Sequence, residues 1–220
     1  MRVSPQAVID KVIESLHLPV PRSLLVLNGS TRDLQQEMRN RLSPLFEGLA
    51  ELVAGEKITV VTGGTKAGIF SLFGQALQKA GGAAAPCIGI AVAGRMHPAR
   101  FEPNHSHFVI VEGKDWGEET ALMYGLVDEL SKNCPSLAVF AGGGEIAVSE
   151  MLHNVGQDRE MIFISGSQGK ADEIVAAGLK GQFDDKRVAR IIQTGRITTF
   201  AVERPVNEFI RLVSNRLITH

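Results

Sequence analysis

Short apolar runs rich in valine and isoleucine recur along this chain, and almost all of them end in glycine. Amphipathic stretches, with apolar residues at three- and four-residue steps, lie between most of these runs. The runs are continuously apolar rather than alternating, so both faces of the sheet that they form are expected to be covered. Strand therefore alternates with helix along the sequence. The predicted strands are 24–27, 58–61, 88–92, 108–111, 137–141, 161–164 and 198–202.

This alternation predicts an α/β fold, a Rossmann-like three-layer α/β/α sandwich with a mainly parallel sheet of about seven strands. The chain has 220 residues, 44% of them hydrophobic, which is enough for a substantial core and predicts a single domain over 1–220. An N-terminal helix is expected from Pro5 to about Leu16, and a last helix from Pro205 to near Leu217. The other predicted helices are 33–53, 67–79, 118–132, 145–155 and 171–179.

The charge balance argues against nucleic acid and membrane partners. The formal net charge of -1 gives no electrostatic basis for binding a duplex or an anionic lipid surface. The longest uncharged run, 80–94, is shorter than the roughly 20 apolar residues that span a bilayer. Asp10, Lys11 and Glu14 interrupt any signal-peptide core, and two cysteines are too few for a disulfide framework. We therefore expect a cytoplasmic protein.

Glycine-rich turns follow several predicted strands, at the edge where open α/β sheets bind ligands. Bare backbone N–H groups at helix N-termini attract anions, and a serine or threonine hydroxyl can add a hydrogen bond. Several such turns on one edge favour a nucleotide or another phosphorylated ligand over a purely structural role. The candidate ligand-binding residues at these strand ends are Gly29, Ser30, Gly63, Gly64, Thr65, Gly68, Gly142, Gly143, Gly144, Glu145, Gly166, Ser167 and Lys170.

Several sharper motifs are incomplete. Residues 142–147 fit G-x-G-x-x-A, but no ribose-binding acid ends the next strand, which argues against an NAD dehydrogenase. Gly169-Lys170 lacks the first glycine and the final hydroxyl residue of a P-loop. Residues 165–169 lack the first glycine of a nucleophile elbow, and His220 is the only histidine that follows, which argues against a serine hydrolase.

The long connection 95–104 has no helical period and is typical of a ligand-facing loop. In it, Arg95 and Arg100 could pair with a pyrophosphate or simply be solvated. His105 and His107 could form half of a metal site, but no third ligand is evident, and histidines bonded to backbone at a strand entrance are the favoured interpretation. No metal and no cofactor is predicted.

Two carboxylates are candidates for chemistry on a ribose. Glu145 and Glu150 lie on the predicted helix that follows the triple glycine, where either could orient a sugar or act as a base. Glu145 could instead simply stabilise the helix N-terminus.

The sequence resembles a known family. Residues 60–65 (Val-Val-Thr-Gly-Gly-Thr), 88–91 (Ile-Gly-Ile-Ala) and above all 102–108 (Glu-Pro-Asn-His-Ser-His-Phe) are similar to the cytosolic N-terminal region of the melastatin-type TRP (TRPM) channels. The similarity runs in order from about Leu24 to Leu179. The chain is identified as a free-standing prokaryotic-type member of the LSDAT group in the SLOG superfamily.

This resemblance implies a Rossmann-like fold and a nucleotide-derived ligand, with ADP-ribose as the leading candidate. It also implies roles for the glycine turns and for the polar residues of the 102–108 block. Where the family often has arginine after the Gly-Ser pair, this chain has Gln168-Gly169-Lys170, which weakens the case for a bidentate phosphate contact there. By position, the resemblance implies that Gly64, Thr65 and Gly68 would cradle a phosphate and that Gly143 and Gly144 would line the floor of the pocket. A second phosphate or a ribose would be held by Gly166, Ser167 and Lys170. Asn104 and His105, from the 102–108 block, are further expected ligand contacts.

The same superfamily includes LOG-type phosphoribohydrolases with the motif P-G-G-x-G-T-x-x-E. Here residues 141–149 read Ala-Gly-Gly-Gly-Glu-Ile-Ala-Val-Ser, so Ser149 stands in the place of the carboxylate. Glu150 is one residue later, which on a helix turns it by about 100°. The departure argues against this hydrolase activity.

Three hypotheses remain at this point. The first is a sensor or signalling domain that binds ADP-ribose or a related NAD metabolite without turnover. The second is a phosphoribohydrolase or N-glycosidase that uses Glu145 or Glu150, and the third is a structural subunit without a ligand. By analogy with related small proteins of the superfamily, we expect a homodimer or a higher homo-oligomer.

Overall fold

The computed structural model describes residues 1–81, 85–181 and 183–218. These residues form an eight-stranded sheet in which all neighbouring strands pair in parallel. The order across the sheet is β1-β5-β4-β3-β2-β6-β7-β8. The strands are β1 (Arg2–Val3), β2 (Leu24–Gly29), β3 (Thr59–Thr62), β4 (Cys87–Val92), β5 (His107–Val111), β6 (Ser136–Ala141), β7 (Glu160–Ser165) and β8 (Ile197–Ala201).

Helices cover both faces of the sheet, which confirms the three-layer α/β/α prediction. Of the helices below, α2, α3 and α8 pack in one hydrophobic cluster against one face, and α1, α4, α5, α6 and α7 pack in a second cluster against the other. The helices are α1 (Ile9–Leu16), α2 (Gln36–Glu56), α3 (Gly68–Lys79), α4 (Thr120–Leu130), α5 (Glu145–Gly156), α6 (Gly169–Lys180), α7 (Lys186–Thr194) and α8 (Val206–Leu217).

Strand β2 shows why the apolar runs are continuous. Leu25 and Leu27 belong to one cluster, whereas Leu24 and Val26 belong to the other. Successive side chains of a strand point to opposite faces, and here each face is buried under helices. Alternate polar residues would therefore be buried as well, which is unfavourable without hydrogen-bond partners.

The structure departs from the sequence prediction at three elements. The additional strand, β1, has only two residues and pairs Arg2 with Ile110, which is too short to produce a periodic signal. The first helix begins at Ile9 rather than at Pro5. Helix α7 was not predicted, because it is strongly charged and buries only Ile191 among its residues; Asp185 caps it by accepting a hydrogen bond from the Arg187 N–H.

The chain reverses its direction of winding at the centre of the sheet. From β2 it proceeds to β3, β4 and β5 on one side, and it then crosses back to β6 on the other side of β2. Such a switch point leaves a crevice beyond the carboxyl ends of the two adjacent strands. Among the described residues, no helix is both long enough and apolar enough to cross a lipid bilayer.

Candidate functional site

A cavity of about 700 Å³ lies at this switch point. It is lined by the segments that follow β2, β3, β6 and β7, together with the segment just before α4. Its lining combines backbone, charged and apolar groups: Gly29, Ser30, Thr31, Arg32, Asp33, Leu34, Gln35, Met38, Gly63, Thr65, Phe70, Trp116, Glu119, Gly142, Gly143, Gly144, Glu145, Ile146, Ala147, Glu150, Ser167, Gln168, Gly169, Lys170 and Glu173.

The fold brings many of the sequence-predicted site residues together around this cavity and leaves others outside its lining. Those in the lining are Gly29, Ser30, Gly63, Thr65, Gly142, Gly143, Gly144, Glu145, Glu150, Ser167 and Lys170. Those outside it are Gly64, Gly68, Arg95, Arg100, Asn104, His105 and Gly166.

The glycines of the lining differ in whether packing or backbone conformation requires a residue without a side chain. Gly29 packs so tightly that a Cβ atom there would lie 2.0 Å from the carbonyl oxygen of Ala141. Gly143 has a φ of +94°, a left-handed conformation that favours glycine. A Cβ atom on Gly144, in contrast, would meet nothing within 4 Å. The backbone at Gly144 therefore borders open space, where a ligand can approach it directly.

Ser167 joins the loops that follow β6 and β7. Its hydroxyl accepts a hydrogen bond from the Gly142 N–H at 2.8 Å and donates one to the carbonyl oxygen of Ile164. With both bonds used internally and the side chain buried, Ser167 holds the lining in place. The hydroxyl predicted to contact a phosphate is thus already engaged by the protein.

Positive charge at the cavity comes from Lys170 and Arg32. Lys170 Nζ lies 2.9 Å from Glu145 Oε1 and 2.8 Å from Glu173 Oε2. Helices α2, α5 and α6 each begin at this lining, so their N-terminal N–H groups add partial positive charge. Arg32 was missed at the sequence level because it follows the glycine turn rather than standing inside a motif.

The two predicted catalytic carboxylates have different environments. Glu145 is exposed, and hydrogen bonds from Lys170 and Arg187 lower its pKa. Glu150 is partly buried, and this burial together with the charge of Glu119 raises its pKa to about 8. Glu150 therefore retains its proton over much of the neutral range, whereas Glu145 is ionised and paired.

Glu119 is the nearby carboxylate that the sequence reasoning missed. It precedes α4, is only 9% exposed, and accepts a hydrogen bond from the Gly117 N–H at 2.8 Å. Burial raises its pKa. A single glutamate before a helix belongs to no recognisable sequence motif. Only the packing of α4 beside α5 shows that Glu119 lies near Glu150.

Apolar side chains supply another part of the lining. Trp116, the single tryptophan of the chain, lies there with Phe70, Met38 and Ile146. Aromatic faces stack on nucleobases, and such contacts tolerate any base. Trp116 stands outside every motif, so no sequence pattern indicates its place in the site.

The 102–108 block, which carries the most specific resemblance, lies outside the cavity lining, and its Glu102 and His105 side chains are buried. His105 is buried, with its Nε2 2.6 Å from Thr62 Oγ1, and that hydroxyl also accepts the Gly64 N–H. Burial lowers the pKa of His105 to about 4, so its ring is neutral. The Asn104 amide donates to the buried Glu102 carboxylate at 2.7 Å. These contacts fix the end of β3, which positions Gly63 and Thr65 in the lining.

The remaining predicted residues also make internal contacts. Arg95 forms an ion pair with Asp115, and Arg100 Nη1 donates to the Arg95 carbonyl oxygen at 3.0 Å. A Cβ atom on Gly64 would lie 2.8 Å from the Gly89 Cα, and one on Gly68 would lie 1.9 Å from the Ser30 carbonyl oxygen. Gly64 thus permits close packing of the turn after β3 against β4, and Gly68 permits close packing of the start of α3 against the segment after β2. Likewise, the Gly166 N–H donates to Asp172 Oδ1 at 2.7 Å.

Comparison with known proteins agrees with this architecture. The X-ray structure of a structural genomics target designated TM1055 is similar, with a TM-score of 0.60 and 20% sequence identity over 88% of this chain and 99% of that one. At that identity the likeness shows the fold alone. No curated protein sequence matches.

A family model described as SLOG in TRPM, prokaryote, matches residues 22–210, which include every element that lines the cavity. This agrees with the resemblance at residues 60–65, 88–91 and 102–108. The chain therefore belongs to the prokaryotic LSDAT branch of the SLOG superfamily, and it is a nucleotide-related domain.

Proposed function

We propose that this protein binds a nucleotide-derived ligand in the cavity, with ADP-ribose or a related NAD metabolite as the ligand and sensing or signalling as its role. The observation that carries the proposal is the composition of the lining. Open glycine backbone, helix N-termini and two cationic side chains lie in the same cavity as an aromatic and apolar wall. Phosphate and nucleobase need these two kinds of surface.

In this proposal the phosphates occupy the side of the cavity formed by 142–145 and 168–170. The backbone at Gly144 is open, and the α5 and α6 N-termini attract negative charge there. Lys170 is held by Glu145 and Glu173, so an arriving phosphate would compete for a positioned cation. The base would pack against Trp116 and the apolar side chains.

The first test uses the fluorescence of Trp116, which reports on the cavity directly because the chain has no other tryptophan. The purified protein is titrated with ADP-ribose, AMP, NAD and cyclic ADP-ribose, and its melting temperature is measured in parallel. Saturation at a hundred times Kd adds about 2.7 kcal/mol of stability, a shift of several degrees. We expect saturable changes with ADP-ribose or NAD.

Gly144→Val tests whether binding occurs in this cavity. A Cβ atom at Gly144 meets nothing within 4 Å and the residue has no left-handed φ, so valine fits the backbone but fills ligand space. Gly156→Val at the other end of α5 is the matched control, since its surroundings are equally open. We expect the first variant to lose at least tenfold in affinity, about 1.4 kcal/mol, while both keep a similar melting temperature in the absence of ligand.

Two outcomes would contradict the proposal. If none of the four nucleotides changes the fluorescence or the melting temperature, the ADP-ribose assignment is wrong, and a structural role without ligand gains support. If a nucleotide binds equally well to Gly144→Val and to Gly156→Val, the ligand occupies another site.

A second candidate function is hydrolysis of the N-glycosidic bond of a nucleotide. The observation that favours it is Glu150, a carboxyl group in the cavity whose pKa of about 8 suits a general acid at neutral pH. Chromatography of the reaction mixture, after the protein has been incubated with AMP or NAD, would detect free adenine or nicotinamide. Turnover that Glu150→Gln abolishes would establish the enzyme, and saturable binding without product would exclude these substrates.

A further inference from the structure

The two cations of the cavity lining differ in how their charge is balanced. Lys170 Nζ lies 2.9 Å from Glu145 Oε1 and 2.8 Å from Glu173 Oε2, so two carboxylates already balance its charge. Arg32 lies in the segment between β2 and α2, is exposed, and takes part in none of the ion pairs that the described residues form. A negatively charged ligand can therefore engage Arg32 without displacing a carboxylate from it.

The backbone that carries Arg32 is held at several points. The Arg32 N–H donates to Ser30 Oγ at 3.2 Å. The Ser30 N–H donates to the Ala141 carbonyl oxygen at 3.1 Å, and the Ser30 carbonyl oxygen accepts the Ile69 N–H at 3.1 Å. A Cβ atom on Gly68 would lie 3.0 Å from the Arg32 carbonyl oxygen, so the start of α3 packs closely against this backbone. The origin of the side chain is thus fixed before a ligand arrives, which lowers the entropy cost of a contact.

The turn after β6 lies between the segment of Arg32 and the segment that follows β7, because β6 pairs with β2 on one side and with β7 on the other. A Cβ atom on Gly142 would lie 3.2 Å from Ser30 Cβ and 3.3 Å from the Ser167 carbonyl oxygen, so this turn contacts both neighbours. The open backbone at Gly144 and the N-terminus of α5 follow directly, where the proposed function places a phosphate. Arg32 therefore flanks that phosphate position from the β2 side.

We propose that Arg32 binds the second phosphate of a diphosphate-linked ligand, beside the phosphate at the N-terminus of α5. The inference rests on the proposed function and narrows its ligand class to compounds with two adjacent phosphates, because a nucleoside monophosphate would leave Arg32 unused. A guanidinium group offers paired N–H donors that match two phosphate oxygens. On the opposite side of the turn, a second phosphate would approach the carboxylates of Glu145 and Glu173, which repel it.

The experiment measures the coupling between Arg32 and the second phosphate. ADP-ribose and ADP are titrated calorimetrically into the wild type, Arg32→Gln, Arg32→Lys and the control Arg22→Gln, and AMP is measured by its competition with ADP-ribose. ADP differs from AMP only by the second phosphate. Arg22 is exposed, lies outside the cavity lining and precedes β2, at the opposite end of that strand from Arg32.

We expect the wild type and Arg22→Gln to bind ADP-ribose and ADP at least about tenfold more tightly than AMP. Arg32→Gln should bind ADP-ribose and ADP about tenfold more weakly than the wild type does, while its affinity for AMP changes by less than about twofold. Arg32→Lys should lose only about threefold, because lysine keeps the charge without the paired donors. All variants should keep the wild-type melting temperature in the absence of ligand, since both arginines are exposed.

The inference is overturned if ADP-ribose binds the wild type and Arg32→Gln equally well, or if Arg32→Gln weakens AMP and ADP by the same factor. Either result would leave nucleotide binding in the cavity standing and remove only the role of Arg32. A wild type that binds AMP as tightly as ADP overturns the narrower ligand class. Failure of all three nucleotides to bind the wild type is a different result, because it overturns the proposed function and this inference together.

Discussion

At the scale of single residues, three glutamates around one cavity have different chemistry because their surroundings differ. Glu145 is exposed and held by Lys170 and Arg187, which lower its pKa. Burial raises the pKa of Glu119 and, with the charge of Glu119 added, brings that of Glu150 to about 8. A sequence motif cannot express this difference, because it depends on desolvation and on the charges that folding brings near.

The raised pKa of Glu150 predicts a pH-dependent stability difference. Between its ordinary pKa of 4.5 and the value of about 8 in the folded protein, the folded state binds the proton more tightly than the unfolded state. The wild type therefore loses stability as pH rises through this window, and Glu150→Gln lacks that loss. We expect the melting temperature of Glu150→Gln, relative to the wild type, to rise steadily from pH 5 to pH 8. A difference that stays constant with pH, as expected for the control Glu51→Gln at an exposed position of α2, would contradict the assignment.

At the scale of elements, a polar network around the buried Arg159 joins α4, α5, the start of β6 and the turn before β7. The Arg159 side chain is 4% exposed and lies 2.8 Å from Asp128 Oδ1. It also donates to Asn154 Oδ1 at 3.1 Å and to Ser136 Oγ at 3.0 Å. Because Asn154 contacts Tyr124 in turn, this network sets the relative position of the helices that carry Glu119 and Glu150.

We expect Arg159→Met to destabilise the fold by about 3 kcal/mol, because it leaves Asp128 and the buried Asn154 without their donor. Lys132→Met is the matched control, since the Lys132–Glu129 pair is exposed and such pairs contribute about 0–1 kcal/mol. Urea denaturation measures both free energies of unfolding. Equal effects of the two substitutions would show that the Arg159 network is not what fixes α4 against α5.

At the scale of the whole molecule, the order of the strands decides which loops can touch one ligand. The segments after β2 and β6 are adjacent because these strands pair across the switch point. The connection 95–104 follows β4, which β3 separates from β2. The two arginines of this connection therefore lie outside the cavity lining, where Arg95 pairs with Asp115 and Arg100 donates to the Arg95 carbonyl oxygen.

Hydrogen exchange with saturating ADP-ribose tests this division over the whole chain. We expect amide protection to increase at 29–35, 142–146 and 166–170, which lie around the cavity, and to change little at 95–104. Protection of 95–104 instead would place Arg95 and Arg100 in contact with the ligand, as the sequence analysis anticipated. The same measurement on Gly144→Val, which should show no protection, controls for indirect effects.

The sequence by itself determined the layers and the edge that carries the site. Continuous apolar strands separated by amphipathic helices require a sheet covered on both faces, and the glycine turns mark its carboxyl edge, because burial and tight turns are local properties that residue periodicity records. Only the tertiary structure decided which of those turns share a cavity, since strand order is a long-range property. It also brought Trp116 and Glu119, which precede α4, together with Glu150 on α5, and it placed His105 in internal packing, because contacts between distant segments leave no periodic pattern along the chain.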